Sequence, residues 1–262
     1  MKKKWLQEFP IQYRATNIKF IHIGECAGTS LMKHFIDAGI DIDEYHLSRP
    51  TIQERVYYFL WIRNPLNRFV SAFNHAKTIL AFDYSGLDPD GLNLSNCPAP
   101  ERIRNRMLKG YTFGPAYDAL IFKFSSANEL AESLSSSDRS RAFEARQLMK
   151  RPEEHIYKGI GWYLDNGRWV RVFHRRIIMV GCVEKMDSDF ARLLDTLGWP
   201  ELPSFTPSRE RTGAPLLPDT LSQKARRNLR QFYSPTDYAA ISALYRHGLI
   251  DDDVFEAYNG NT

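Results

Sequence analysis

The sequence predicts an α/β fold of three layers, a central and mainly parallel β-sheet flanked by helices. Three observations carry that expectation. Two short apolar runs, Ile18-Lys19-Phe20-Ile21-His22-Ile23 and Val56-Tyr57-Tyr58-Phe59-Leu60-Trp61-Ile62, each lead through a tight turn into apolar residues at helical spacing. A third run, Ile177-Ile178-Met179-Val180-Gly181, does the same ahead of the amphipathic stretch Asp187–Leu197. Strands that alternate with helices are joined by crossovers, and crossovers make neighbouring strands parallel.

Taken in order, the first strand runs into the small-residue loop Gly24-Glu25-Cys26-Ala27-Gly28-Thr29-Ser30. Leu31, Phe35, Ile36 and Ala38 then define a helix, with Thr29 or Ser30 as N-cap and Gly39 as its stop. The second strand turns at Arg63-Asn64-Pro65 into a helix carrying Phe69, Val70, Ala72 and Phe73, and Pro65 suits its first turn. Residues 80–110 are rich in Gly, Pro, Asp and Asn, a length common in binding loops and lids, and read as an insertion. Ser125–Lys150 and Pro152–Leu164 are expected as polar helices outside the sheet, with the helix after the third strand ending at Gly198. Pro218–Tyr245 is a closing helical region, and no internal repeat is present, so residues 1–262 read as one domain.

Composition narrows the function classes. With 43% hydrophobic and 25% charged residues the chain is an ordinary globular one, which excludes wholesale disorder, a collagen-like repeat and a membrane bundle. A net charge of +4 is too mild to mark a nucleic-acid binder, and the basic residues form no stripe with interleaved aromatics. Cys26, Cys97 and Cys182 are odd in number and lack metal-type spacing, so neither a disulfide framework nor a zinc site is expected. Gln7, Glu8, Pro10 and Gln12 interrupt any signal-like apolar segment after Lys2-Lys3-Lys4, and no run approaches the ~18 apolar residues of a membrane span. The expectation is a cytoplasmic protein without a transmembrane segment.

Chemistry concentrates at two turns. In Gly24–Ser30 small residues let backbone N–H groups converge where a helix dipole is positive, an arrangement suited to anions. The loop is not a Walker A motif, because Gly28-Thr29-Ser30 lacks the lysine, which counts against ATP or GTP hydrolysis. Arg63 ends the second strand, and Arg68 and Ser71 follow on its helix, so a guanidinium pair and a hydroxyl make a second phosphate site.

These residues carry a resemblance. Phe20–Leu31 resembles the 5′-phosphosulfate loop of sulfotransferases that use 3′-phosphoadenosine 5′-phosphosulfate (PAPS). Residues 63–71 resemble their Arg-x-Pro-x-x-Arg-x-x-Ser motif for the 3′-phosphate, and Val180-Gly181-Cys182-Val183-Glu184 is similar to a third recurring segment. The likeness lies with the carbohydrate branch, heparan-sulfate-type and bacterial, and covers most of 18–80 and 177–245. It implies a P-loop-like fold in which Gly24, Glu25, Cys26, Ala27, Gly28, Thr29 and Ser30 grip the 5′-phosphosulfate. It also implies that Arg63 and Ser71, with Arg68 between them, hold the 3′-phosphate. Arg211 and Thr212, in the loop Ser208–Gly213, resemble a late segment that closes on the nucleotide. The implied reaction moves a sulfuryl group from PAPS to a hydroxyl of a carbohydrate or glycoconjugate and releases adenosine 3′,5′-bisphosphate, with no metal required. Residues 80–110 then become a candidate acceptor lid.

One position departs from the pattern. The family usually carries Lys or Arg where this chain has Glu25, which leaves Glu25 as a loop carboxylate, an arginine's partner or a base toward the acceptor. Lys33, Arg14 or a residue of the late loop are candidates for the missing cation. The attacking hydroxyl must lose its proton, and His46, expected just before a helix that precedes the second strand, is the first candidate base, with Glu25 the second. His22 reads as a satisfied core or strand-end residue, His75 and Lys77 as facing solvent, and His155 as packing. Trp61, Trp162 and Trp169 suit sugar stacking and core filling alike. The alternatives are a non-catalytic nucleotide-binding homologue, motivated by Glu25, and a phosphoryl transferase that depends on ATP and magnesium.

Overall fold

The computed structural model describes residues 17–51, 53–83, 120–121, 123–151, 155–199, 202, 205 and 220–260. Its strands are β1 (Ile18–His22), β2 (Asp43–His46), β3 (Tyr57–Ile62) and β4 (Ile177–Cys182). Its helices are α1 (Gly28–Asp37), α2 (Pro65–Asp83), α3 (Ala127–Ser133), α4 (Arg139–Met149), α5 (Ile160–Tyr163), α6 (Arg168–Phe173), α7 (Met186–Leu197), α8 (Gln223–Tyr233), α9 (Ala239–Arg246) and α10 (Asp252–Asn259). The described residues pack as two compact units, one drawn from 1–65, 159–210 and 233–262, the other from 66–158 and 211–232.

The first unit holds the sheet, which is parallel throughout in the order β2-β1-β3-β4 among the described residues. All six residues of β4 and five of the six of β3 are buried, which is why both read as unbroken apolar runs: a parallel strand covered on both faces has no polar side to show. On one face Phe20 stacks on Phe59 with centroids 4.8 Å apart, and Phe35 of α1 meets both Phe59 and Phe190 of α7. Tyr58 points the other way, where Trp169 of α6 meets it edge-on at 5.1 Å. Helices thus cover both faces of the sheet, as expected. At the centre Trp61 lies opposite Gly181, and a Cβ there would come within 2.2 Å of the indole.

Several boundaries differ from the sequence expectation. Neither Thr29 nor Ser30 caps α1: the helix begins at Gly28, its N-cap position is Ala27 in the left-handed region, and no side chain caps it. The chain reverses sharply as it leaves β1, and a left-handed residue turns it in fewer positions than an extended cap residue does. The stop at Gly39 is as expected. Its φ of 74° lets its own N–H donate to Ile36 O and that of Ile40 to Phe35 O, a Schellman closure. Between His46 and β3 no helix is present among the described residues, and His46 instead ends strand β2, whose polar sequence Asp-Glu-Tyr-His gives no apolar alternation to read. A charged, short edge strand of this kind resists pairing with other chains. The closing region runs through α8, a π-helical turn at Ser234–Tyr238 and α9, then continues past its expected end into α10.

In the second unit Ser126 caps α3 by accepting from Glu129 N–H, and Glu129 reaches back to the N–H of Ser125. Asp138 caps α4. Ser222 donates to Glu132, and the Asn228 amide donates to Ala131 O, which ties α8 to α3. The candidate lid, apart from its start within α2, and the late loop with Arg211 and Thr212 lie outside the described residues, as do Arg14 and Cys97. No described helix is long and apolar enough to cross a membrane.

The fit of Trp61 over Gly181 sets a test of this core. Gly181→Ala should lower stability by about 1–3 kcal/mol, the usual cost of forcing extra volume into a packed interior, as read by denaturant unfolding.

Candidate functional site

The chain leaves β1 toward β2 on one side and leaves β3 toward β4 on the other, so strand order reverses between β1 and β3. In open parallel sheets the crevice at the carboxyl ends of such a pair is where ligands bind. The loops that exit these two strands here are Gly24–Ala27 and Arg63-Asn64, and they touch: Arg63 Nη1 donates to the carbonyl of Glu25 over 3.4 Å. It is the main chain of Glu25, rather than its carboxylate, that receives the guanidinium.

The first loop is strained. Glu25 (φ 66°) and Ala27 (φ 62°) both occupy the left-handed region, which costs a residue with a Cβ about 1–2 kcal/mol. Between them the Cys26 N–H donates to Ile23 O. Behind the loop α1 starts with Gly28, Thr29 and Ser30, whose amides have no acceptor within the helix. No side chain caps this end and no acidic residue stands in its first turn, so the positive end of the ten-residue dipole is left uncompensated by the helix itself. Lys33, a candidate replacement cation, is exposed and pairs with Asp37 one turn along at 2.8 Å.

Beside the loop lies a cluster that neither strand discloses alone. The parallel register sets His22 opposite His46 and Phe20 opposite Glu44. His22 Nδ1–H donates to Glu44 Oε2 at 2.6 Å, and the two imidazoles lie 4.1 Å apart. Burial pushes the Glu44 carboxyl up, but the His22 hydrogen bond and the charges of His22 and His46 together outweigh it and hold the carboxyl below its ordinary value. His22 also explains Gly28: a Cβ at position 28 would stand 1.9 Å from the imidazole Cδ2. Past His46 the Leu47 N–H donates to the Tyr163 hydroxyl, which pins the exit of β2.

The third segment contributes Glu184. Its Oε1 accepts from Asn64 N–H at 3.0 Å and its Oε2 from the Tyr258 hydroxyl at 2.5 Å, while the Asn64 amide donates to Ala257 O. Burial first, then the charge of Asp189, pushes the Cys182 thiol up to about 12, so it stays protonated and is no nucleophile. Asp189 accepts from Cys182 N–H at 2.7 Å, the same buried carboxylate that pairs with Arg192.

The second unit holds Arg68 and Ser71 on α2. Arg68 is fully buried, and its guanidinium donates to the carbonyls of His155 and Ile156 at 2.6 and 3.4 Å. Ser71 is half-buried. His75 and Lys77 do not face open solvent as expected: His75 meets the buried His155 edge-on at 5.7 Å, and burial pushes the half-buried Lys77 ammonium down. Trp61 fills the core, whereas half-buried Trp162 carries the Arg49 guanidinium on its ring at 5.2 Å. Sequence reasoning missed Glu44, Tyr163 and Tyr258, since each acquires its partner only through tertiary pairing.

Comparison of the chain with protein-family models, with curated proteins and with solved structures finds no match in any of the three.

Two measurements check this geometry. Ala27→Gly should raise stability by about 0.5–1 kcal/mol, because the relief of left-handed strain exceeds the added backbone entropy of glycine. For Glu44→Gln the sign follows from the lowered carboxyl. Wild type should be the more stable at neutral pH, and the gap should close as pH falls below the ordinary value of 4.5 and through the lower folded one, read as unfolding free energy against pH.

Proposed function

We propose that the first unit binds the phosphate groups of a nucleotide donor and that the protein is a group transferase. The particular activity we infer is that of a PAPS-dependent sulfotransferase with a hydroxyl of a carbohydrate or glycoconjugate as acceptor. The observation that carries the reading is the meeting of Arg63 with the Glu25 main chain at the reversal point of the sheet, in front of an uncapped helix N-terminus. The residues fit such a donor: backbone amides at 28–30 suit the 5′-phosphosulfate, and Arg63 suits a further phosphate. Arg63 also answers the departure at Glu25, since it brings a guanidinium to the residue where the resembled family keeps its cation. Ser71 enters through the motif alone, and Arg68 enters as a positioning residue that holds 155–156 from within the core.

PAPS would supply an activated sulfuryl group. The acceptor oxygen forms a bond to sulfur while the bond from sulfur to the phosphate oxygen breaks, and its electron pair leaves with the bisphosphate. His46 takes the acceptor proton in this reading. Glu44 acts one step behind as a positioning residue: its carboxylate accepts from His22 Nδ1–H and so fixes the imidazole that faces His46 at 4.1 Å.

Calorimetric titration of the full chain with adenosine 3′,5′-bisphosphate, AMP, and ATP with and without magnesium tests the donor site. The bisphosphate should bind best, and Arg63→Ala should weaken it about tenfold or more, the equivalent of one charge-assisted hydrogen bond. No preference over AMP would sink the reading. Under turnover His46→Ala should lower kcat by roughly 10²–10⁴, the range of a general base. Glu25 favours a second reading, a nucleotide binder without turnover. In that case wild type is inactive, and Glu25→Lys is the variant in which sulfuryl transfer would emerge.

A further inference from the structure

A second cationic site in the first unit shares no lining residue with the 24–30 loop or with Arg63. Between the start of α6, the π-helical turn, α9 and the end of α10 there is a cleft of about 300 Å³. Its walls carry Arg171 and Arg246 together with the polar side chains of Ser234, Tyr238, Ser242 and Asn259. No carboxylate lines it among the described residues. Neither arginine forms an ion pair with a described carboxylate, in contrast to Arg141 and Arg192, which do. Two guanidinium groups placed in one small cleft repel each other unless an anion is set between them.

We propose that this cleft is a binding site for an oxyanion, a phosphate or sulfate ester of a small ligand or of a single sugar unit. The donor set matches that chemistry: guanidinium forks give paired N–H donors to tetrahedral oxyanions, and hydroxyl and amide groups complete the shell. The volume is at the lower end for ligand sites, the size of one monosaccharide carrying one such group. Arg171 and Arg246 each stand next to one member of a stacked histidine pair. His174 and His247 lie ring on ring at 4.1 Å, and the His174 Nδ1–H donates to Arg171 O. Burial, then the charges of His174, Arg246 and Arg171, hold His247 below its ordinary value. A bound anion offsets those charges. By linkage it draws a proton onto His247, and acidification in turn strengthens binding.

This proposal does not rest on the sulfotransferase reading, and its test separates the two. The full chain is titrated with inorganic phosphate, inorganic sulfate and glucose 6-phosphate at constant ionic strength while the ring C–H resonances of His174 and His247 are followed by NMR. The result expected is a saturable shift with the His247 titration midpoint moving upward, retained in Arg63→Ala and weakened about tenfold or more in Arg171→Gln/Arg246→Gln. Both arginines are exposed, so these substitutions leave the core untouched. Arg171→Lys/Arg246→Lys, which keeps charge and loses the forks, should fall between. Tighter binding of glucose 6-phosphate than of phosphate identifies a sugar ester as the ligand, and equal binding identifies the free anion. Shifts that fail to saturate, that survive the double glutamine variant or that vanish in Arg63→Ala overturn the proposal.

Discussion

One carboxylate ties together three segments that are far apart in sequence. Glu184 follows β4, accepts from the backbone directly after β3, and accepts from a tyrosine in α10, the last described helix. Burial keeps the Tyr258 phenol protonated and therefore a donor, and each carboxylate oxygen has its own partner, so the bridge is fully satisfied. Arg63 precedes Asn64 by one residue. The backbone beside Arg63, whose guanidinium meets the Glu25 carbonyl, is consequently anchored to α10. A charge-assisted bond to a backbone N–H also does what a packed apolar contact cannot, because it fixes the peptide plane and not only its distance.

The opposite side of the crevice is set by steric fit rather than by charge. His22 fills the volume that a side chain at position 28 would need, and the resulting close approach brings the start of α1 against the end of β1. That economy of chain is bought with two left-handed residues, Glu25 and Ala27. Strain of this kind persists where surrounding structure over-determines a loop, and it clusters at binding sites because it aims the backbone.

The sheet was legible because β1, β3 and β4 are buried on both faces, which writes their identity as apolar runs with glycine or proline punctuation. β2 was not: Asp43, Glu44, Tyr45 and His46 lie at an edge, where solvent imposes no alternation. The Gly24–Ser30 loop and Arg63 were legible as local motifs. Their contact was not, since it depends on strand order, and neither were Glu44 and Tyr258, whose partners lie in other strands or helices. Arg68 shows the converse. Its motif position suggested phosphate binding, yet burial and two carbonyl acceptors give its guanidinium a structural task within the second unit. A short pattern specifies residue type, while the acceptors available around it decide what the residue holds.

The pairing of Gly28 with His22 reaches beyond mechanics into how this sequence is able to change. While the imidazole occupies its place, every side chain at position 28 is excluded, so glycine there is conditional on histidine at 22. A lineage that first replaced His22 with a smaller residue would open position 28 to alanine or serine, whereas the reverse order passes through a clashing intermediate. The two sites therefore evolve as one unit with a preferred order of substitution. Diverged relatives should therefore show a correlated pair at this crevice, glycine with histidine or a side chain with a gap, rather than two independently invariant residues.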